Sequence, residues 1–175
     1  MKICVFCSAN QQIDPDFFTM TEELGRWAAN NGHTIVYGGV NCGLMECVAK
    51  ATKEAGGRTI GVIPMIVEKN GRMSDYVDVE IPVENLSDRK QLMMDQSDVF
   101  IALPGGLGTL DEVFTVVASA TIGYHSKTVI LYNLKGFWES LILMLEDLKS
   151  KGVIRGDWRQ YIKTADSIEE ISRLL

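Results

Sequence analysis

Apolar residues along this chain fall in short unbroken blocks, separated by stretches where they recur every three or four positions. The blocks are Lys2 to Cys7 (Lys-Ile-Cys-Val-Phe-Cys), Thr34 to Tyr37, Thr59 to Ile63, Val99 to Leu103 and Thr128 to Tyr132. They are too short for helices and show little alternation, as expected of parallel strands covered on both faces. Between them, Phe17, Met20, Leu24, Trp27 and Ala28 keep helical spacing from the turn and cap signal Asp14-Pro15-Asp16 to Asn31-Gly32. Further helices are predicted over Leu44 to Ala55, closed by Gly56-Gly57, and over Arg89 to Gln96, with Ser87 as N-cap and Leu92 and Met93 inward. The pattern that begins at Leu110 runs through Val113, Val116, Val117 and Ala120 to Gly123, and two more helices cover Trp138 to Lys149 and Ser167 to Leu174. Tyr76 to Pro82 and Lys163 to Ala165 read as short strands; Met65 to Ser74 has no period and reads as a loop turning at Asn70-Gly71.

Strands alternating with helices, without hairpin signals, predict an α/β fold: a Rossmann-like, doubly wound parallel sheet in one domain over residues 1–175. Three turns follow strands, at Ser8, at Gly38-Gly39 and at Pro104-Gly105-Gly106. In an open parallel sheet all three lie along the carboxyl edge, where ligands bind at a reversal of strand order, so distant stretches are expected to meet in one crevice.

Composition narrows the partners. A chain of 175 residues with 46% apolar content suits one packed core. A net charge of −6 argues against a broad surface for nucleic acid polymers or anionic membranes, so any phosphate must be met locally. With no charged leader and no apolar run near the roughly 20 residues of a membrane span, the expectation is a soluble cytoplasmic protein. Cys4, Cys7, Cys42 and Cys47 fit buried thiols in a reducing compartment better than a redox pair or metal set, because Cys4 and Cys7 point to opposite faces of one strand.

The densest chemistry lies in Val99 to Val113. Five apolar residues lead into Pro104-Gly105-Gly106-Leu107-Gly108-Thr109, then into a helix. Glycines admit a ligand close to the backbone, and the helix start offers unpaired N–H groups and a positive dipole end. A phosphate held by the amides of Gly105, Gly106, Gly108 and Thr109 and by the Thr109 hydroxyl is expected. Dinucleotide binding fails on detail, since the first strand-to-helix turn is Ser8-Ala9-Asn10 rather than a glycine fingerprint, and a Walker A lysine is missing. Thr109-x-x-Glu112 has the spacing of a capping box, which is as good an account of Glu112 as catalysis. Arg89 and Lys90 fall in a predicted first turn, where cations oppose the helix dipole; they are either solvated or held there for function. His33 reads as a surface residue and His125 as a packing or interface residue.

Pro104 to Glu112 also matches, residue for residue, the PGGxGTxxE signature of the Lonely Guy (LOG) family. Arg89-Lys90-Gln91-Leu92-Met93, Gly43-Leu44-Met45 and Tyr124-His125-Ser126-Lys127 resemble further family segments. Glu46 replaces a common glycine, and Leu86-Ser87-Asp88 replaces a common Met-His-Glu. The resemblance implies a nucleoside 5′-monophosphate phosphoribohydrolase, of the kind known for releasing cytokinin bases and often mislabelled lysine decarboxylase. A purine substrate, AMP-like or N6-substituted, would give free base and ribose 5-phosphate without metal or organic cofactor. The resemblance makes Arg89 and Glu112 catalytic and Lys90 a support for substrate binding; with the crevice and phosphate turn read above, the expected substrate-binding set is Ser8, Gly38, Gly39, Lys90, Gly105, Gly106, Leu107, Gly108, Thr109 and Asp111, and Glu68 is the only acid available for a family contact in the Met65 to Ser74 loop. It further implies a homodimer or higher oligomer, with the partner's helix closing the crevice. The competing reading is a non-enzymatic nucleotide or molybdenum-cofactor carrier of related fold. Lysine decarboxylation lacks a persuasive pyridoxal-phosphate lysine context.

Overall fold

In a computed structural model describing residues 1–175, the apolar blocks become strands β1 (Lys2–Phe6), β2 (Thr34–Tyr37), β3 (Arg58–Pro64), β5 (Val99–Ala102) and β6 (Val129–Tyr132). Two further strands, β4 (Val79–Val83) and β7 (Ile162–Ala165), lie at the edges. All pairings are parallel, in the order β4-β3-β2-β1-β5-β6-β7. The central strand β1 sets Cys4 opposite Val36 of β2 on one side and opposite Phe100 of β5 on the other.

Seven helices cover the sheet: α1 (Pro15–Asn30), α2 (Gly43–Glu54), α3 (Met65–Lys69), α4 (Leu86–Asp95), α5 (Leu107–Thr121), α6 (Glu139–Ser150) and α7 (Ile168–Leu174). Each sheet face buries its own cluster. Cys4, Phe6 and Phe100 pack with Met93 of α4, Val113 and Val116 of α5 and Leu141 of α6. Ile3, Val5 and Cys7 pack with Leu24 of α1, Leu44 and Val48 of α2 and Ile171 of α7. Cys4 and Cys7 therefore do occupy opposite faces, and all four cysteines are free thiols. No helix is long and apolar enough to cross a membrane.

Four local readings are corrected. The cap of α4 is Asn85, whose Oδ1 accepts the Asp88 N–H at 2.9 Å, not Ser87. Arg89 and Lys90 thereby move to the fourth and fifth helical positions, beyond the turn where the dipole opposes them most. Residues 65–69, expected as loop, form the short helix α3. The fourth strand starts at Val79, not Tyr76, because Asp78 takes the place of a ladder partner: its Oδ2 accepts the Thr59 N–H at 2.9 Å. Helix α5 begins at Leu107, three residues before its apolar period shows.

Candidate active site

The chain leaves β1 for β2, β3 and β4 on one side, then returns to β5 on the other, so the order reverses between β1 and β5. A crevice of about 210 Å³ opens at the carboxyl ends of these two strands. Its walls are Ser8 and Ala9 after β1, Met45 of α2, Arg89 of α4, and Gly108, Thr109 and Glu112 of α5.

One wall is the bare start of α5. Gly106 is the N-cap and no side chain bonds to the cap, so the first amides, those of Leu107, Gly108 and Thr109, face outward without helical partners. A Cβ on Gly105 would overlap the Thr109 hydroxyl; the absence of a side chain is what lets Thr109, 3% exposed, fold back onto the turn. Ser8 fixes the opposite wall: its N–H donates to the Pro104 carbonyl at 3.0 Å, its carbonyl accepts the Leu44 N–H at 2.9 Å, and its Oγ accepts the Asn10 N–H at 3.0 Å. The Ser8 hydroxyl proton is thus left for a ligand.

Because Thr109 is the third residue of α5 rather than its cap, the capping-box reading of Glu112 does not hold. Glu112 stands a turn further in, 6% exposed, with Oε1 3.5 Å from Nη1 of Arg89. Burial pushes its carboxyl up to about 7, against the pull of the Arg89 guanidinium; Asp111 adds to the rise and Lys90 opposes it.

Arg89 reaches Glu112 through contacts that sequence did not suggest. Its Nε donates to the Val62 carbonyl of β3 at 3.2 Å, and a Cβ on Gly38 would collide with its Nη2. That Nη2 is buried over Gly38 and has no hydrogen-bond partner. Gly38 is thus the space Arg89 occupies. Gly39 (φ +69°) turns the chain so that its carbonyl accepts the Ser74 N–H at 2.9 Å.

The remaining expected residues lie around this centre. Leu107 is 86% exposed at the mouth. Lys90 Nζ donates to both carboxylate oxygens of Asp111, at 2.8 and 2.9 Å, and neither residue lines the crevice. Glu68 is exposed on α3 and lies outside the crevice lining. Met45 and the Val62 carbonyl were missed: Met45 sits in the Gly43-Leu44-Met45 segment without any polar signal, and a backbone acceptor carries no sequence signal at all.

Residues 45–175 match a family model described as "possible lysine decarboxylase". A probable cytokinin riboside 5′-monophosphate phosphoribohydrolase of Oryza sativa subsp. japonica is 35% identical over 170 residues, covering 97% of this chain and 81% of its own. The chain belongs to the LOG family. A second LOG relative, a cytokinin riboside 5′-monophosphate phosphoribohydrolase of Arabidopsis thaliana, is 33% identical over 174 residues, with 99% of this chain and 81% of its own covered. Among solved structures, the Moco carrier protein of Chlamydomonas reinhardtii superposes on this LOG-family fold with a TM-score of 0.74 at 25% identity, covering 99% and 93% of the two chains.

Proposed function

We propose that this protein hydrolyses the N-glycosidic bond of a purine nucleoside 5′-monophosphate, AMP-like or N6-substituted, releasing free base and ribose 5-phosphate. The observation that carries the reading is a buried carboxylate facing a guanidinium with a free donor, beside an uncapped helix start, in one crevice at the switch point. The family's named relatives, phosphoribohydrolases acting on cytokinin riboside 5′-monophosphates, support the same chemistry.

In this reading the α5 amides at Leu107, Gly108 and Thr109, with the Ser8 hydroxyl, hold the 5′-phosphate. Charge then develops where the protein is already arranged for it. As the C1′–N bond breaks, its electron pair leaves with the base and the sugar becomes oxocarbenium-like. The Glu112 carboxylate stabilises that positive charge and takes one proton from the water whose oxygen bonds to C1′. A proton returns to the base nitrogen, so base and ribose 5-phosphate balance nucleotide and water. The Arg89 guanidinium on the crevice wall holds the nucleotide, while its Nη1 keeps Glu112 in place.

The apolar groove between α5 and α6, about 520 Å³ and lined by Phe114, Val117, Ala118, Ile122, Leu145 and Leu148, is proposed to be covered by a second copy of the chain. Exposed Ile122 and Val153 at its edge fit a homodimer contact. The likeness to a Moco carrier favours one rival: binding without turnover. Assaying base release from AMP, GMP, CMP and N6-isopentenyl-AMP tests the reading; tight binding of these nucleotides with no base released would favour the carrier.

A further inference from the structure

Two consecutive residues of α4 face two consecutive residues of α5. Arg89 meets Glu112 on the inner, buried rung at 3.5 Å. Lys90 grips both oxygens of Asp111 on the outer rung at 2.8 and 2.9 Å. The inner rung lines the crevice and the outer one does not. Asp111 is 55% exposed at its side chain, and its charge, if unmatched, would stand next to the helix start that must accept an anion.

We propose that the Lys90–Asp111 ion pair is a positioning device: it ties α4 to α5 so that Arg89 meets Glu112, and it neutralises the acid beside the phosphate cradle. This rests on the phosphoribohydrolase reading for its catalytic consequence, but not for its electrostatic one. An isolated surface pair is worth little to stability, so its use lies in geometry and field. The charged and titratable groups facing Glu112 are Arg89 and Lys90 from α4, Asp111 from α5, and the thiols of Cys4 in β1 and Cys7 just after it. Burial holds both thiols neutral, with pKa values well above the ordinary thiol range, so the outer rung is the part of this field that substitution can vary without entering the crevice.

The two partners pull Glu112 in opposite directions, which gives the pair a signature that mere structural support lacks. In Lys90→Met the unmatched Asp111 charge disfavours the Glu112 carboxylate; in Asp111→Asn the unmatched Lys90 charge favours it. The experiment is a difference infrared titration of the substrate-free protein, using Glu112→Gln to assign the carboxyl band, alongside KM and kcat for base release. The expected shifts are about half a pH unit upward in Lys90→Met and a similar amount downward in Asp111→Asn, with the double variant back near the parent value. KM should stay within about twofold while kcat falls about tenfold in each single variant. A KM rise of about tenfold with the Glu112 midpoint unmoved would assign the pair to substrate contact and overturn the proposal. Shifts of the same sign, or none, would also overturn it. If the parent protein releases no base yet the midpoints still move apart, the phosphoribohydrolase reading fails and the positioning field stands.

Discussion

Arg89 and Glu112 lie on different helices, 3.5 Å apart at Nη1 and Oε1, and both are nearly closed to solvent. A buried pair of this kind is weak evidence for stability, because the cost of removing two charges from water offsets their attraction. Its worth here is chemical: Arg89 limits the rise in Glu112, and the carboxyl is left titrating at about 7.

The pH dependence of activity follows. If the carboxylate is the working form, kcat/KM for base release should rise with pH to a plateau, with a limb near 7 that Glu112→Gln abolishes. A flat profile from pH 5 to 8, measured with a parent protein that remains folded throughout, would contradict this role.

Stability should run the other way. The folded carboxyl of Glu112 titrates at about 7 against an ordinary 4.5, so between these values the folded state holds the proton that the unfolded state has lost. The contribution is fully present below about 4.5 and is lost as pH rises through about 7, amounting to as much as about 3 kcal/mol. Denaturant unfolding at pH 4 and pH 8 should show Glu112→Gln gaining on the parent at the higher pH. An equal difference at both would mean that Glu112 ionises without penalty.

Gly38→Ala isolates the placement of Arg89. The added Cβ would overlap the guanidinium, so Arg89 must leave Glu112 or the turn must move. Base release is expected to fall about a hundredfold, since small misplacements of reacting groups cost that much. Activity within twofold of the parent would show that Arg89 need not sit where it does.

Much of the fold was legible because parallel strands buried on both faces leave unbroken apolar blocks, as in Val99–Ala102, where every residue is buried. β4 was misplaced because it is an edge strand, with Glu80 and Pro82 exposed and only Val83 buried, so it leaves no such block. Asn85 and Ser87 are both good caps two residues apart, and nothing local chooses between them. In the site, the Pro104-Gly105-Gly106 turn showed itself through glycine chemistry. The pairing of Arg89 with Glu112 and the Val62 carbonyl beneath Arg89 depend on strands and helices brought together by the sheet, and spacing along the chain carries no record of them.

The groove between α5 and α6 predicts association. Ala118 is exposed on its wall, so Ala118→Glu should place a charge in an otherwise apolar contact. Light scattering after gel filtration should give a dimer or larger species for the parent and a monomer for the variant. A monomeric parent at micromolar concentration would show that no second copy covers the groove.

The most direct test is product analysis of AMP and N6-isopentenyl-AMP incubated with the parent, Glu112→Gln and Arg89→Ala proteins, each checked for folding. Free base and ribose 5-phosphate are expected in equal amounts from the parent, with a loss of at least about a hundredfold in both variants. Bound nucleotide recovered intact from the parent, or base release unchanged in either variant, would contradict the proposed hydrolysis.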